Sequence, residues 1–137
     1  MKIMSIDYGD VRTGVALSDA MGMLASPHTV IKESYQPKLV TKLLEIIDEY
    51  NIQTVVIGLP RNMDGTYGYR CDECKTLGNA LKEKNSNLNI VYEDERLTTV
   101  MAHNVLSDNN VRGKKRKNTV DAVSAVMILQ SYLDKNR

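Results

Sequence analysis

The sequence predicts an α/β domain on a mixed five-stranded sheet, with elements in the order βββαβαβαα and helices on both faces. Three observations carry this. The chain opens with three short apolar runs in quick succession, which imply an antiparallel meander. After Pro37 the apolar residues change to helical spacing. From there helices and β-branched runs alternate, as in parallel strands joined by right-handed crossovers.

Taken in order, KIMSIDY (2–8) is a mostly apolar strand that stops at Gly9. Past the turn residues Gly9 and Asp10, Thr13 to Ser18 forms a second strand. Residues 23–32 form a third, and Pro27 inside it suits an edge strand or a bulge. Pro37 can occupy the first turn of a helix, and Leu39, Val40, Leu43, Leu44, Ile46 and Ile47 continue it to about Tyr50. Thr54 to Gly58 is a compact fourth strand. The polar run LPRNMDGTYG leads to a second helix over 69–84, and Leu88 to Tyr92 is the fifth strand. Thr98 or Thr99 can cap a short helix to about Ser107. SDNNVRGKKRKN has the composition of an exposed loop, and the last helix is expected over 119–134.

With 137 residues, 42% of them apolar and 26% charged, the chain can bury one core, and a single domain over 1–137 is expected. No apolar run reaches the roughly 18 residues that span a bilayer. The opening MKIMSIDYGD carries acid where a secretory signal carries its apolar stretch, so a cytoplasmic protein without a membrane partner is expected. Cys71 and Cys74 form a C-x-x-C, but neither a second pair nor a nearby histidine completes a zinc site. On a helix they are simply neighbours.

The net charge of +1 conceals a division. RGKKRK at 112–117 holds five of the 18 basic residues and no acid, leaving 13 basic against 17 acidic residues elsewhere. Such a cluster attracts polyanions within about 8 Å at physiological salt, or is a solvated loop.

Three acids are candidates for chemistry. Asp7 closes the first strand, at the sheet edge where α/β proteins bind ligands, although Asp there can also just start a turn. Glu93, Asp94 and Glu95 follow the fifth strand, whose carboxyl end reaches the same edge if it runs parallel to the first. Alternation does not separate Glu93 from Glu95. Asp121 shares a helical stripe with Ser124, Ala125, Ile128, Leu129 and Tyr132. It is either a buried metal ligand or the third helical residue behind an Asn118 cap. Together, carboxylates at one edge suit Mg2+ or Mn2+, hard ions that can activate water and stabilise the leaving oxygen in phosphodiester cleavage. Arg112, Lys114, Lys115, Arg116 and Lys117 could grip phosphates beside them. Arg12 and Arg96 could do the same, or act as charge partners.

The segments IDYGDVRTGVALSD (6–19), VVIGLPRNMDGT (55–66), DERLTT (94–99) and VDAVSAVMILQSYL (120–133) resemble the YqgF or RuvX family. That family has an RNase H-like fold, and the resemblance covers nearly the whole chain. It implies Asp7, Glu95 and Asp121 as metal-binding catalytic carboxylates, choosing Glu95 over Glu93. Many resolvase relatives carry a further aspartate where this chain has Asn118, which leaves three ligands. The resemblance also implies a metal-dependent nuclease acting on the 5′ end of pre-16S rRNA in ribosome biogenesis. Its partner would be structured RNA or branched DNA, with the chain a monomer or homodimer. One alternative is a Holliday-junction resolvase, which requires a symmetric dimer. A non-catalytic nucleic-acid-binding module is another, and a sugar-kinase or actin-like protein would need a second domain that this length does not supply.

Overall fold

The computed structural model describes residues 2–60, 69–94 and 113–136, with the backbone alone at 69 and 113–122. Five strands, β1 (Ile3–Asp7), β2 (Arg12–Ser18), β3 (Ala25–Lys32), β4 (Thr54–Leu59) and β5 (Asn89–Asp94), form one sheet in the order β3-β2-β1-β4-β5. The first three are antiparallel neighbours, and β1, β4 and β5 run parallel. Three helices are described: α1 (Gln36–Tyr50), α2 (Tyr69–Lys84) and α3 (Gly113–Lys135). The mixed sheet with parallel crossovers is the one expected. The short helix expected near 98–107 lies outside the described residues.

Strand alternation divides the core in two. On one face Met4, Ile6, Val15, Leu17, Val55, Ile57 and Leu59 pack against α1 and α2. On the other, Ala16 and Val56 meet Ala125, Ile128, Leu129 and Leu133 of α3. Small side chains let α3 come close. Ser5, fully buried in β1, donates its hydroxyl to the Ala125 carbonyl oxygen at 2.7 Å.

Local chemistry explains the element ends. Pro37 sits in the first turn of α1, and Asn51 ends the helix in the left-handed region at φ 54°. The Ile52 amide then donates back to the Ile47 carbonyl at 2.9 Å. In β3, Val15 faces Thr29 but Ala16 faces Pro27, so His28 is the extra residue of a bulge. Pro27 is accommodated by both devices the sequence suggested, since β3 is also an edge strand. In α2, Cys71, Cys74, Leu77 and Leu81 form one buried stripe. Both cysteines are packed in the core, where their spacing is that of helical neighbours.

One expectation fails. The stretch 113–118, read as part of an exposed loop, is helical, and α3 starts at Gly113 instead of 119. Asn118 therefore does not cap the helix, and Asp121 is not its third residue. Lys and Arg are strong helix formers with long, soluble side chains, so a helix already docked through its later turns extends through KKRK at little cost. Among the described residues no helix is long and apolar enough to cross a membrane.

Ala125 is buried without exposure where α3 meets the sheet. We expect Ala125→Leu to overpack this contact and cost about 1–3 kcal/mol, read as a lower urea midpoint. An unchanged midpoint would mean that α3 does not sit close on β1.

Candidate active site

Asp7 is the last residue of β1 and shares the α3 face with Ser5 two residues earlier. It pairs with Gly14 of β2. On the other side, Ile6 pairs with Ile57, so the next position beside Asp7 is Gly58, which in turn pairs with Glu93 of β5. The carboxylate thus stands between two glycines, at the end of the strands and with no side chain beside it at that level of the sheet.

Glu93 belongs to the same row and face, but it is committed elsewhere. Only 6% exposed, it accepts from Ser131 Oγ at 2.7 Å and pairs with Lys135 Nζ at 2.8 Å. Glu93 thereby ties β5 to the end of α3. Glu95 lies outside the described residues, as do Arg96 and Arg112. Residues 114–117 and 121 are placed as backbone of α3. Among the described residues, no group of three or more His, Cys, Asp or Glu could hold a metal ion.

Arg12 opens β2 on the same face as Gly14 and Ala16. Its Nε is buried and has no hydrogen-bond partner. A buried unpaired donor costs about 1–3 kcal/mol. That cost is tolerated more readily where an incoming oxygen acceptor would satisfy the group.

The turn joining Asp7 to Arg12 is held on several sides. A Cβ on Gly9 would clash with the Arg12 carbonyl oxygen, so only glycine fits there. Glu33 N donates to the Val11 carbonyl at 2.9 Å, and Gln36 Nε2 donates to the Tyr8 hydroxyl at 3.2 Å. Arg70, in the first turn of α2, donates from Nη1 to Asp10 Oδ1 at 2.8 Å and from Nη2 to the Tyr8 carbonyl at 3.2 Å. Sequence reasoning missed both Gln36 and Arg70. A signal existed for Arg70, because a cation in a first helical turn opposes the helix dipole and needs a reason.

The Glu33 carboxyl is held below its ordinary value of 4.5, first by the hydrogen bond from Lys42 and then by the Tyr35 amide. Asp19 is likewise lowered, chiefly by the Met23 amide in the turn between β2 and β3.

A family model described as RuvX, Holliday junction resolvase, matches residues 1–135. The chain belongs to the RuvX family. A relative from Ruminiclostridium cellulolyticum, named a candidate pre-16S rRNA nuclease, is 44% identical and covers 98% of this chain and 95% of its own. One of the same name from Heliobacterium modesticaldum is 43% identical, covering 98% and 89%. Among solved structures, the fowlpox virus Holliday junction resolvase superposes with a TM-score of 0.61 at 13% identity, over the whole of both chains. RuvC of T. thermophilus, in complex with a Holliday junction substrate, gives 0.58 at 12%, covering 99% and 96%. At such identities these structures show the fold alone, which is RNase H-like. The RuvX-family chain is thus a resolvase-type α/β sheet with an acid at the end of its central strand.

Two outcomes test the turn. Gly9→Ala should cost about 1–3 kcal/mol in urea unfolding, because the Arg12 carbonyl must move. A depressed folded-state carboxyl adds stability that is complete above its unfolded value and lost as pH falls through the folded one. Glu33→Gln should therefore lose stability at neutral pH and lose less than wild type does on acidification below pH 4.5. Parallel acid profiles of the two proteins would refute this.

Proposed function

We propose that this protein is a metal-dependent endonuclease that hydrolyses nucleic-acid phosphodiesters, acting on the 5′ end of pre-16S rRNA in ribosome biogenesis. One observation carries the reading. Asp7 stands on a glycine-flanked floor at the carboxyl edge of the sheet, on the face where the buried Arg12 Nε lacks a partner. The names of the 37–44% identical relatives support the substrate.

Asp7, Glu95 and Asp121 would hold Mg2+ or Mn2+. Carboxylate oxygens are the donors such hard ions prefer, and the two described neighbours of Asp7 in the sheet carry no side chain that would compete for the space. Residue 121 is one helical turn before Ala125, whose carbonyl binds Ser5 above β1. Further along α3, Gln130 accepts from the Ala25 amide, at the end of the sheet where β1 begins.

When bound, the metal ions supply activation of water and stabilisation of the leaving oxygen. The chain supplies position. Asp7 is fixed by its own pairing with Gly14 and by that of the preceding Ile6 with Ile57. Arg12 would donate to a non-bridging phosphate oxygen, a charge-assisted bond that satisfies its buried Nε. Arg96, Arg112, Lys114, Lys115, Arg116 and Lys117 would bind flanking phosphates, and as part of a helix the last four rise about 1.5 Å per residue instead of trailing in a loop. The setting is the cytoplasm.

The test is cleavage of a 5′-extended 16S rRNA precursor with Mg2+ or Mn2+, with junction DNA alongside. We expect the wild type to cut the RNA and Asp7→Asn to lose about 10²–10³ in rate, the usual cost of one preorganised electrostatic contact. Cutting of junction DNA alone would move the function to recombination, the family description's reading, and would require a symmetric dimer. Salt-sensitive RNA binding by wild type and Asp7→Asn, with no cleavage by either, would make the protein a binding module.

A further inference from the structure

Arg70 is an odd residue for its place. It stands in the first turn of α2, where a positive charge opposes the helix dipole. Its ion pair with Asp10 is solvent-accessible, with the two side chains 30% and 70% exposed. Pairs of this kind stabilise a fold little. Stability alone does not explain an arginine here.

Geometry offers another account. The guanidinium fork reaches two acceptors of one short turn, the Tyr8 carbonyl and the Asp10 carboxylate. Planar, two-pronged donation of this kind is what arginine does and lysine does not. The Tyr8 carbonyl belongs to the residue that directly follows Asp7, in the peptide that joins Tyr8 to Gly9. Gly9 follows, packed against the Arg12 carbonyl with no room for a side chain. Between the end of β1 and the start of β2, the backbone orientation is thus fixed by the glycine from within and by Arg70 from outside. Strand pairing holds Asp7 from the other direction, through Gly14.

We propose that Arg70 is a positioning residue for the metal site. By holding the Tyr8 carbonyl and Asp10 together, it sets the direction in which the Asp7 carboxylate leaves the strand. The proposal rests on the metal-dependent nuclease reading. It has a sign that an indirect charge effect lacks. A nearby cation repels a divalent ion, so if Arg70 acted only through its charge, removing it would tighten metal binding. If Arg70 positions Asp7, removing it loosens metal binding.

The experiment is a Mn2+ titration of the full chain followed by electron paramagnetic resonance, on wild type, Arg70→Ala, Arg70→Lys, Asp10→Asn and Asp7→Asn. Steady-state cleavage is measured alongside. Arg70→Ala is expected to weaken Mn2+ binding about tenfold, the usual cost of losing a partner that orients a ligand. Arg70→Lys, able to reach one acceptor at a time, should recover part of this. In cleavage, kcat should fall with KM for the nucleic acid little changed, since no phosphate contact is removed. Unchanged or tighter Mn2+ binding by Arg70→Ala, with Asp7→Asn unable to bind, would overturn the positioning role and leave the nuclease reading standing. Should Asp7→Asn bind Mn2+ like the wild type, the metal site lies elsewhere and both readings fall. If Arg70→Ala does not fold, wild-type Mn2+ affinity in both Arg70→Lys and Asp10→Asn would overturn the proposal.

Discussion

β1 is the middle strand of the sheet and is covered on both faces, by α1 and α2 on one side and by α3 on the other. Met4 and Ile6 are fully buried, and so is Ser5 with its hydroxyl spent on α3. A charge anywhere along such a strand would lose its hydration without compensation. At the end of the strand burial is only partial, and there the acid stands. Much of the molecule follows from this. The strand must be buried to be rigid, and its rigidity makes the carboxylate at its end a fixed point.

What surrounds that point is mostly small or tied down. Gly14 and Gly58 keep the floor beside Asp7 clear, and Ala16, Ser5 and Ala125 let α3 approach closely. Polar groups that could crowd the site have partners of their own. Glu93 is consumed by Ser131 and Lys135, Asp10 by Arg70, and Glu33 by Lys42 and the Tyr35 amide. Against this background the unpaired Nε of Arg12 stands out. Thr13 Oγ1 is the other such buried atom among the described residues, and it belongs to the opposite face. Membership of the RuvX family agrees with a nucleic-acid substrate.

The elements were largely legible because each has a local cause. Alternating and β-branched runs bounded by turn residues made the strands, and a proline followed by apolar residues at helical spacing made α1. Pro27 announced an edge or a bulge, and the structure uses both. The start of α3 was not legible. A run of Lys, Arg and Asn reads as loop by charge and as helix by propensity, and docking of the later turns through Ser124, Ala125 and Ile128 decides between them. For the site, Asp7 and Arg12 could be named from their place beside a Gly turn. The partners of Gln36 and Arg70 could not, because these two residues reach that turn from helices 28 and 62 residues away along the chain.

By itself, then, the sequence determined the periodicities, the strand that ends in an acid, and a family signature running through the chain. These depend on neighbours within a few residues, where the physics of backbone and burial is local. Only the tertiary structure decided that Glu93 is tied up in an ion pair, which buried donor is left unpaired, and which distant arginine grips the turn beside Asp7. Each of these is a pairing between groups far apart in the chain. Such a pairing exists only once the sheet has brought β1, β5, α2 and α3 to their places.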